Sequence, residues 1–327
     1  MEMKVYYEFR NGDCLVVPAD EYLVNGKCVD ICQKGKFKID FNPYHDKRGR
    51  FTTKGGAANE VFVRPKYAFV WDVPMNEGES DRQWFVRAKA LVNESAAYMD
   101  KHYKESEDRI RKYIGKDTMS MNLREHLDPD VVKSIADSMD DFAKKFPDIE
   151  GAIDFIRCDD MRYSTVASFN MTENRGNGIE LNIDVFKNKK TLRSTHEKDR
   201  ATNFHPKNTD EYQYVQHELA HALEHKMNKV LFDKGRYEAV RKGRDGIIDN
   251  KMRNVNLSQE LFDKALKEYG AETISKEVSR YATSSPQEFF AECISEYTNS
   301  PKSRPIASKI SKDFVELVRE KWKATEE

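Results

Sequence analysis

The sequence predicts an α+β fold: long helices, one of them histidine-bearing, a few short strands, and an N-terminal appendage. Three observations carry this. Segments 81–113, 129–146 and 306–322 repeat apolar residues at helical spacing. "GIELNIDV" (178–185) alternates apolar and polar residues, as a strand buried on one face does. "VQHELAHALEH" (215–225) sets an apolar stripe against a pair of histidines one helical turn apart.

The bulk properties bound the rest. A chain of 327 residues can bury a sizeable core and fits one large domain plus an appendage. Lys and Arg number 55 against 56 Asp and Glu, and the net charge of -1 supplies no general attraction to nucleic acid or an anionic membrane. The start, "MEMKVYYEFRNGD", lacks the apolar core of a signal peptide, and no apolar run reaches the roughly 18 residues of a membrane span. Cytoplasmic synthesis is expected, without export by the standard route. The five cysteines are scattered and odd in number, which predicts reduced thiols.

Taken in order, "KVYYEF" and "CLVV" read as strands either side of an Asn11-Gly12 turn. Residues 34–66 are rich in Lys and Arg and include "TTKGGAA", the composition of a flexible basic linker, so residues 1–60 are read as a small segment apart from 61–327. Within that linker, "FNPYHDKRGRFTTKGG" (41–56) is similar to segments of phage head-morphogenesis and other virion proteins. "VFVRPKYAFVW" is strand-like but broken by Pro65. A helix from Asp81 to about Tyr113 presents Trp84, Phe85, Ala88, Leu91, Val92, Ala96 and Met99, and a second runs from Pro129 to Phe146 behind Asp128. "AIDFIRC", "TVASFNM" and "GIELNIDVF" are three strand candidates, the last two joined as a hairpin through "TENRGNG". Residues 187–200 read as a charged connection. A last helix points Ile306, Ile310, Phe314, Leu317 and Val318 at the core.

The histidine-bearing helix starts, on this reading, at Asn208 as N-cap, with Glu211 completing a capping box. Tyr212, Val215, Leu219, Leu223, Met227 and Val230 form its apolar stripe. His217 and His221 share the opposite side, with Glu218 beside them. Zinc takes such a pair because it accepts neutral imidazole nitrogens in tetrahedral geometry, at a separation one helical turn presets. The bland alternative is a solvated polar face.

The residues alone leave the third ligand open. Positions 224 and 227 hold Glu224 and Met227, which excludes a metzincin continuation. His225 points away from a common metal, and His196 and His205 are allowed by spacing but unsupported. In "RYATSSPQEFFAECISEY", Ser285-Pro286 opens a helix on which Glu288 and Glu292 lie one turn apart. Glu288 is either a ligand or simply the partner of Ser285 in a capping box.

At these two motifs the chain resembles the gluzincin family of anthrax lethal factor and its relatives. That family's pattern is HExxH, then a Tyr, and seven residues later a Glu opening an E-F-F-A-E helix. Tyr281 and Glu288-Phe289-Phe290-Ala291-Glu292 stand at that spacing here. The resemblance runs over about 152–322, half the chain, which places a catalytic core at about 150–327. It implies a zincin-like fold, a small twisted sheet over the active-site helix with helices below, and His217, His221 and Glu288 as zinc ligands for one zinc per chain. It also implies Glu218 as general base, Tyr281 as a transition-state donor and Glu292 as the carboxylate orienting a ligand histidine, His217 in particular. Ile179, Glu180, Leu181 and Asn182 take the place of the edge strand along which a peptide substrate lies. The chain departs from the family in a charged insertion, 232–256, and in lacking a counterpart to the toxin's receptor-adaptor domain.

The function so implied is a zinc metalloendopeptidase acting on a protein or peptide substrate, with phage virion components as further candidate partners. Two alternatives stand beside it: a virion structural or head-morphogenesis protein with an inactive zinc-binding domain, and an injected or secreted toxin protease. Glu218 argues against a purely structural site, which has no use for a base.

Overall fold

The computed structural model describes residues 4–8, 14–18, 62–114, 121–161, 165–172, 176–241 and 256–326. The Asn11-Gly12 turn, the basic linker up to residue 61, the virion-like segment 41–56, the hairpin tip 173–175 and residues 242–255 of the charged insertion lie outside them. The protein is mixed α+β and mostly helical. No helix among the described residues is long and apolar enough to cross a membrane. Cys158 and Cys293 are free thiols, both buried.

The chain divides into two compact units, Met1–Asp100 and Lys101–Glu327, with the boundary after Asp100. It lies inside helix α1, Asp81–Arg111. In the first unit, β1 (Lys4–Glu8) and β2 (Cys14–Pro18) pair antiparallel as expected. The described part of "VFVRPKYAFVW", residues 62–71, is not a strand. Pro65 removes a ladder donor, and Val70–Asp72 instead close a 3-10 turn in which the Phe69 N–H donates to Asp72 Oδ2 at 3.0 Å. Val73, Ala88 and Val92 form a small core with Trp84 and Leu91 packed on it, and the Trp84 indole N–H donates to the Val73 carbonyl.

The second unit holds the three-stranded sheet. β3 (Phe155–Asp159) pairs parallel with β5 (Gly176–Asn182), and β5 pairs antiparallel with β4 (Ala167–Thr172), in the order β3-β5-β4. Here one expectation is overturned. Ile179, Glu180, Leu181 and Asn182 belong to the central strand, not to an edge, so their backbone is already paired on both sides. The outer side of β3 is covered at Cys158, where Asn122 both donates to the carbonyl and accepts from the N–H at 2.9 and 2.7 Å. Among the described residues β4 pairs with no strand except β5, which makes β4 the free edge. Gly178 is required where β5 crosses Phe155: a Cβ there would lie 2.4 Å from the ring.

The alternation in 178–185 overran the strand. Asn182 accepts from the Asp184 N–H and caps a short helical turn, α4 (Ile183–Phe186). Residues 189–201, expected as connection, form helix α5 (Lys189–Ala201), capped by Asn188 and burying Leu192 and His196. After a single helical turn, α2 (Leu123–His126), helix α3 (Pro129–Lys145) follows its sequence signals, with Val131, Val132, Ile135, Met139 and Phe142 buried.

The histidine-bearing helix, α6, is Gln213–Arg241. Asn208 does not cap it: its side-chain amide donates to the Lys302 carbonyl, while Asp210 accepts from the Tyr212 N–H one turn before the helix. α6 packs against β4 and β5 as well as against α3, α9 (Pro286–Asn299) and α10 (Pro305–Glu326). Residues 211–220 are therefore buried all round, so the solvated polar face, the bland alternative for the histidine pair, is absent there. Further on, α7 (Leu257–Tyr269) and α8 (Ala271–Glu277) complete the unit.

Candidate metal centre

The centre is built where α6 crosses α9. Helical spacing puts His217 and His221 one turn apart on α6. α9 starts at Pro286 with Ser285 as its cap, the hydroxyl oxygen accepting from the Glu288 N–H at 3.2 Å. Ser285 thus does the capping expected of it. The Glu288 carboxylate turns the other way, towards the histidines.

Three atoms converge there. Nε2 of His217 lies 2.9 Å from Oε2 of Glu288 and 3.1 Å from Nε2 of His221, and His221 Nε2 is 3.5 Å from the same carboxylate oxygen. A tetrahedral ion with ligand bonds of about 2.0–2.1 Å spaces its ligand atoms about 3.3 Å apart, so shifts of a few tenths of an ångström would seat one. Buried His and Glu groups that could hold a metal are thus present, in two overlapping sets: His217-His221-Glu288, and His205-His217-Glu292.

The charge environment matches. Burial opposes charging His217, yet Glu288 and Glu292 outweigh it and raise the imidazole's pKa well above its ordinary value. Burial likewise pushes the Glu288 carboxyl up, but His217 and His221 pull it far below the usual carboxylate range. Two imidazoles amid Glu288, Glu292 and Glu218 make a pocket in which positive charge is stabilised.

Glu292, one turn beyond Glu288, is wholly buried, and its Oε1 lies 2.8 Å from Nδ1 of His217. That contact is an ion-pair approach without an in-line hydrogen bond from Nδ1. The same oxygen accepts from Nδ1 of His205 at 2.8 Å, and the other accepts from the Ser279 hydroxyl at 2.7 Å. Against the effect of burial, His205 and His217 hold the Glu292 carboxyl down at about 2.

Tyr281 opens a 3-10 turn, Tyr281–Thr283, and its ring stacks on His217 at 5.9 Å and on Phe204 at 5.0 Å. Burial and then the nearby Glu288 carboxylate raise its phenol pKa, so the hydroxyl keeps its proton and can donate it in a hydrogen bond. Glu218 is buried, and its charge is felt at both His217 and Tyr281. The structure thus brings together His217, His221, Glu288, Glu292, Glu218 and Tyr281.

It separates the others. His196 is buried against the Thr209 hydroxyl at 3.3 Å, with its pKa pushed down to about 4 by burial. His225 stays out of both sets. It walls, with Phe169 and Met171 of β4 and Asn228 and Gln287, a cavity of about 360 Å³ beside His221 and Glu288. Ile179 and Leu181 are core residues, and Glu180 is taken up by Arg157 and by the Asn170 amide. Asn182 serves as the α4 cap. His205, allowed by spacing but unsupported in the sequence, and Ser279 both reach Glu292 from irregular segments with no period to betray them.

No protein-family model, curated protein or solved structure matches the chain. What the site can do rests on its own geometry.

Proposed function

We propose that the protein is a zinc-dependent metalloendopeptidase of gluzincin type, with His217, His221 and Glu288 holding the ion. The observation that carries this is the convergence of two imidazole nitrogens and one carboxylate oxygen at 2.9, 3.1 and 3.5 Å. Two nitrogens and one oxygen suit zinc better than magnesium or calcium, which want more oxygens. When bound, zinc supplies Lewis acidity at an open coordination position.

The chain's own groups supply the rest. Glu218 is the base that takes a proton from the attacking water and returns it to the departing amine. Tyr281, protonated and stacked over His217, donates to the oxyanion that develops on the carbonyl. Glu292 holds His217 in orientation, the role a carboxylate plays behind a ligand imidazole. β4 supports a peptide substrate better than the central strand: its outer edge has unpaired backbone groups among the described residues, and Phe169 and Met171 place it beside His221. The reading is tested by zinc content of protein purified without chelator, together with mass spectrometry of a peptide library after incubation. One zinc per chain with defined cleavages supports it. Protein unable to take up zinc overturns it.

A further inference from the structure

Beside the centre lies a buried imidazole to which the proposed chemistry gives no role. His205 is only 7% exposed and lies outside the HExxH helix, on the segment joining α5 to α6. Its Nδ1 is 2.8 Å from Glu292 Oε1, the same oxygen that approaches Nδ1 of His217 at 2.8 Å. A carboxylate only accepts, so Nδ1 of His205 carries the hydrogen. Glu292 is thus gripped on two sides, by His205 at one oxygen and by the Ser279 hydroxyl at the other.

The segment that carries His205 is itself fixed to the far side of the site. The carbonyls of Asn203 and Phe204 accept from the N–H groups of Arg280 and Tyr281 at 2.8 and 3.1 Å. Phe204 stacks on the Tyr281 ring. Asn203 adopts φ +53, in the left-handed region that Asn tolerates better than most residues, and its amide donates to the Ser275 carbonyl at 2.8 Å. Such a backbone, pinned at the two residues before His205, gives it little freedom to drift.

We infer that His205 is a positioning residue: it locks the Glu292 carboxylate against His217, and so sets the direction of the His217 ligand nitrogen. This rests on the metal reading above but can fail separately from it. Glu292 has two oxygens and a flexible stem, and a ligand histidine is oriented only as well as its carboxylate is held. Partners one step behind a metal ligand typically govern about 10–100-fold of metal affinity.

The test uses the full chain, zinc alone as ligand, and chelator competition as the first readout. His205→Ala is expected to weaken zinc binding about 10–100-fold and to shift the visible bands of the cobalt-substituted protein. His205→Asn, whose amide nitrogen falls close to the position of Nδ1, is expected to restore both. His205→Gln, whose nitrogen reaches further out, is expected not to. The Asn and Gln pair decides the matter even if the alanine variant fails to fold. Wild-type affinity and an unchanged cobalt spectrum in His205→Ala, or equal behaviour of the Asn and Gln variants, overturn the inference while leaving the zinc reading intact. Two bound metals per wild-type chain also overturn it, since His205, His217 and Glu292 would then be ligands in their own right. A wild type that binds no zinc removes the metal reading itself.

Discussion

Oε1 of Glu292 lies 2.8 Å from Nδ1 of His217, on the opposite side of the ring from the nitrogen that faces Glu288. One imidazole is therefore gripped between two carboxylates one turn apart on α9. The arrangement turns Nδ1 towards Glu292 and Nε2 towards Glu288 and His221, so Nε2 is the nitrogen that faces the other proposed ligands. Glu292→Gln is expected to weaken zinc binding about 10–100-fold while the helical signal in circular dichroism persists. Unchanged affinity in chelator competition would show the contact to be incidental.

Ser285 and Glu288 separate capping from ligation. Ser285→Ala removes the acceptor of the Glu288 N–H and is expected to cost about 1 kcal/mol of stability with zinc retained. Glu288→Gln is expected to do the reverse, losing zinc with little loss of helix. Metal analysis and thermal unfolding of the two variants check this, and zinc retained at the wild-type level in Glu288→Gln would contradict the ligand assignment.

Away from the site, Asp140 on α3 accepts from Arg109 Nε at 2.8 Å and from the Tyr113 hydroxyl at 2.5 Å. Burial pushes its carboxyl up, but Tyr113 and Arg109 prevail and hold its pKa below the ordinary value. A lowered folded pKa contributes stability that is full above the unfolded value, about 3.9, and is lost as pH falls through the folded one. Asp140→Asn should therefore cost on the order of 1–3 kcal/mol at neutral pH, with the gap to wild type narrowing below about pH 4. Melting curves at pH 7 and pH 3 measure it, and an equal gap at both would contradict the assignment.

Much of the site was legible in the sequence because its pairs are local. His217 with His221, and Glu288 with Glu292, are each separated by one helical turn, and the 3.6-residue period alone sets those relations. That the two pairs meet is a property of how α6 and α9 pack, which no period records. The sheet shows the limit most clearly. Alternation in "GIELNIDV" reports which face is buried, and Ile179 and Leu181 are indeed fully buried, but it carries no information on how many neighbours the strand has. The family resemblance gave this strand the place of an edge, and the pairing puts it at the centre. α5 was hidden because its buried face is Leu192 and His196, one apolar residue and one histidine amid charge. His205 was allowed by spacing but had nothing to support it, since an irregular segment delivers it.

The central claim is that Glu218 is a base beside a zinc centre. Glu218→Gln keeps the shape of the side chain and removes its capacity to take a proton. The decisive measurement is the cleavage rate of zinc-loaded Glu218→Gln on a peptide that the wild type cuts, with metal content determined in both proteins. The account predicts full zinc occupancy and a rate lower by about 10²–10⁴-fold. A zinc-loaded Glu218→Gln that cleaves at the wild-type rate would contradict it.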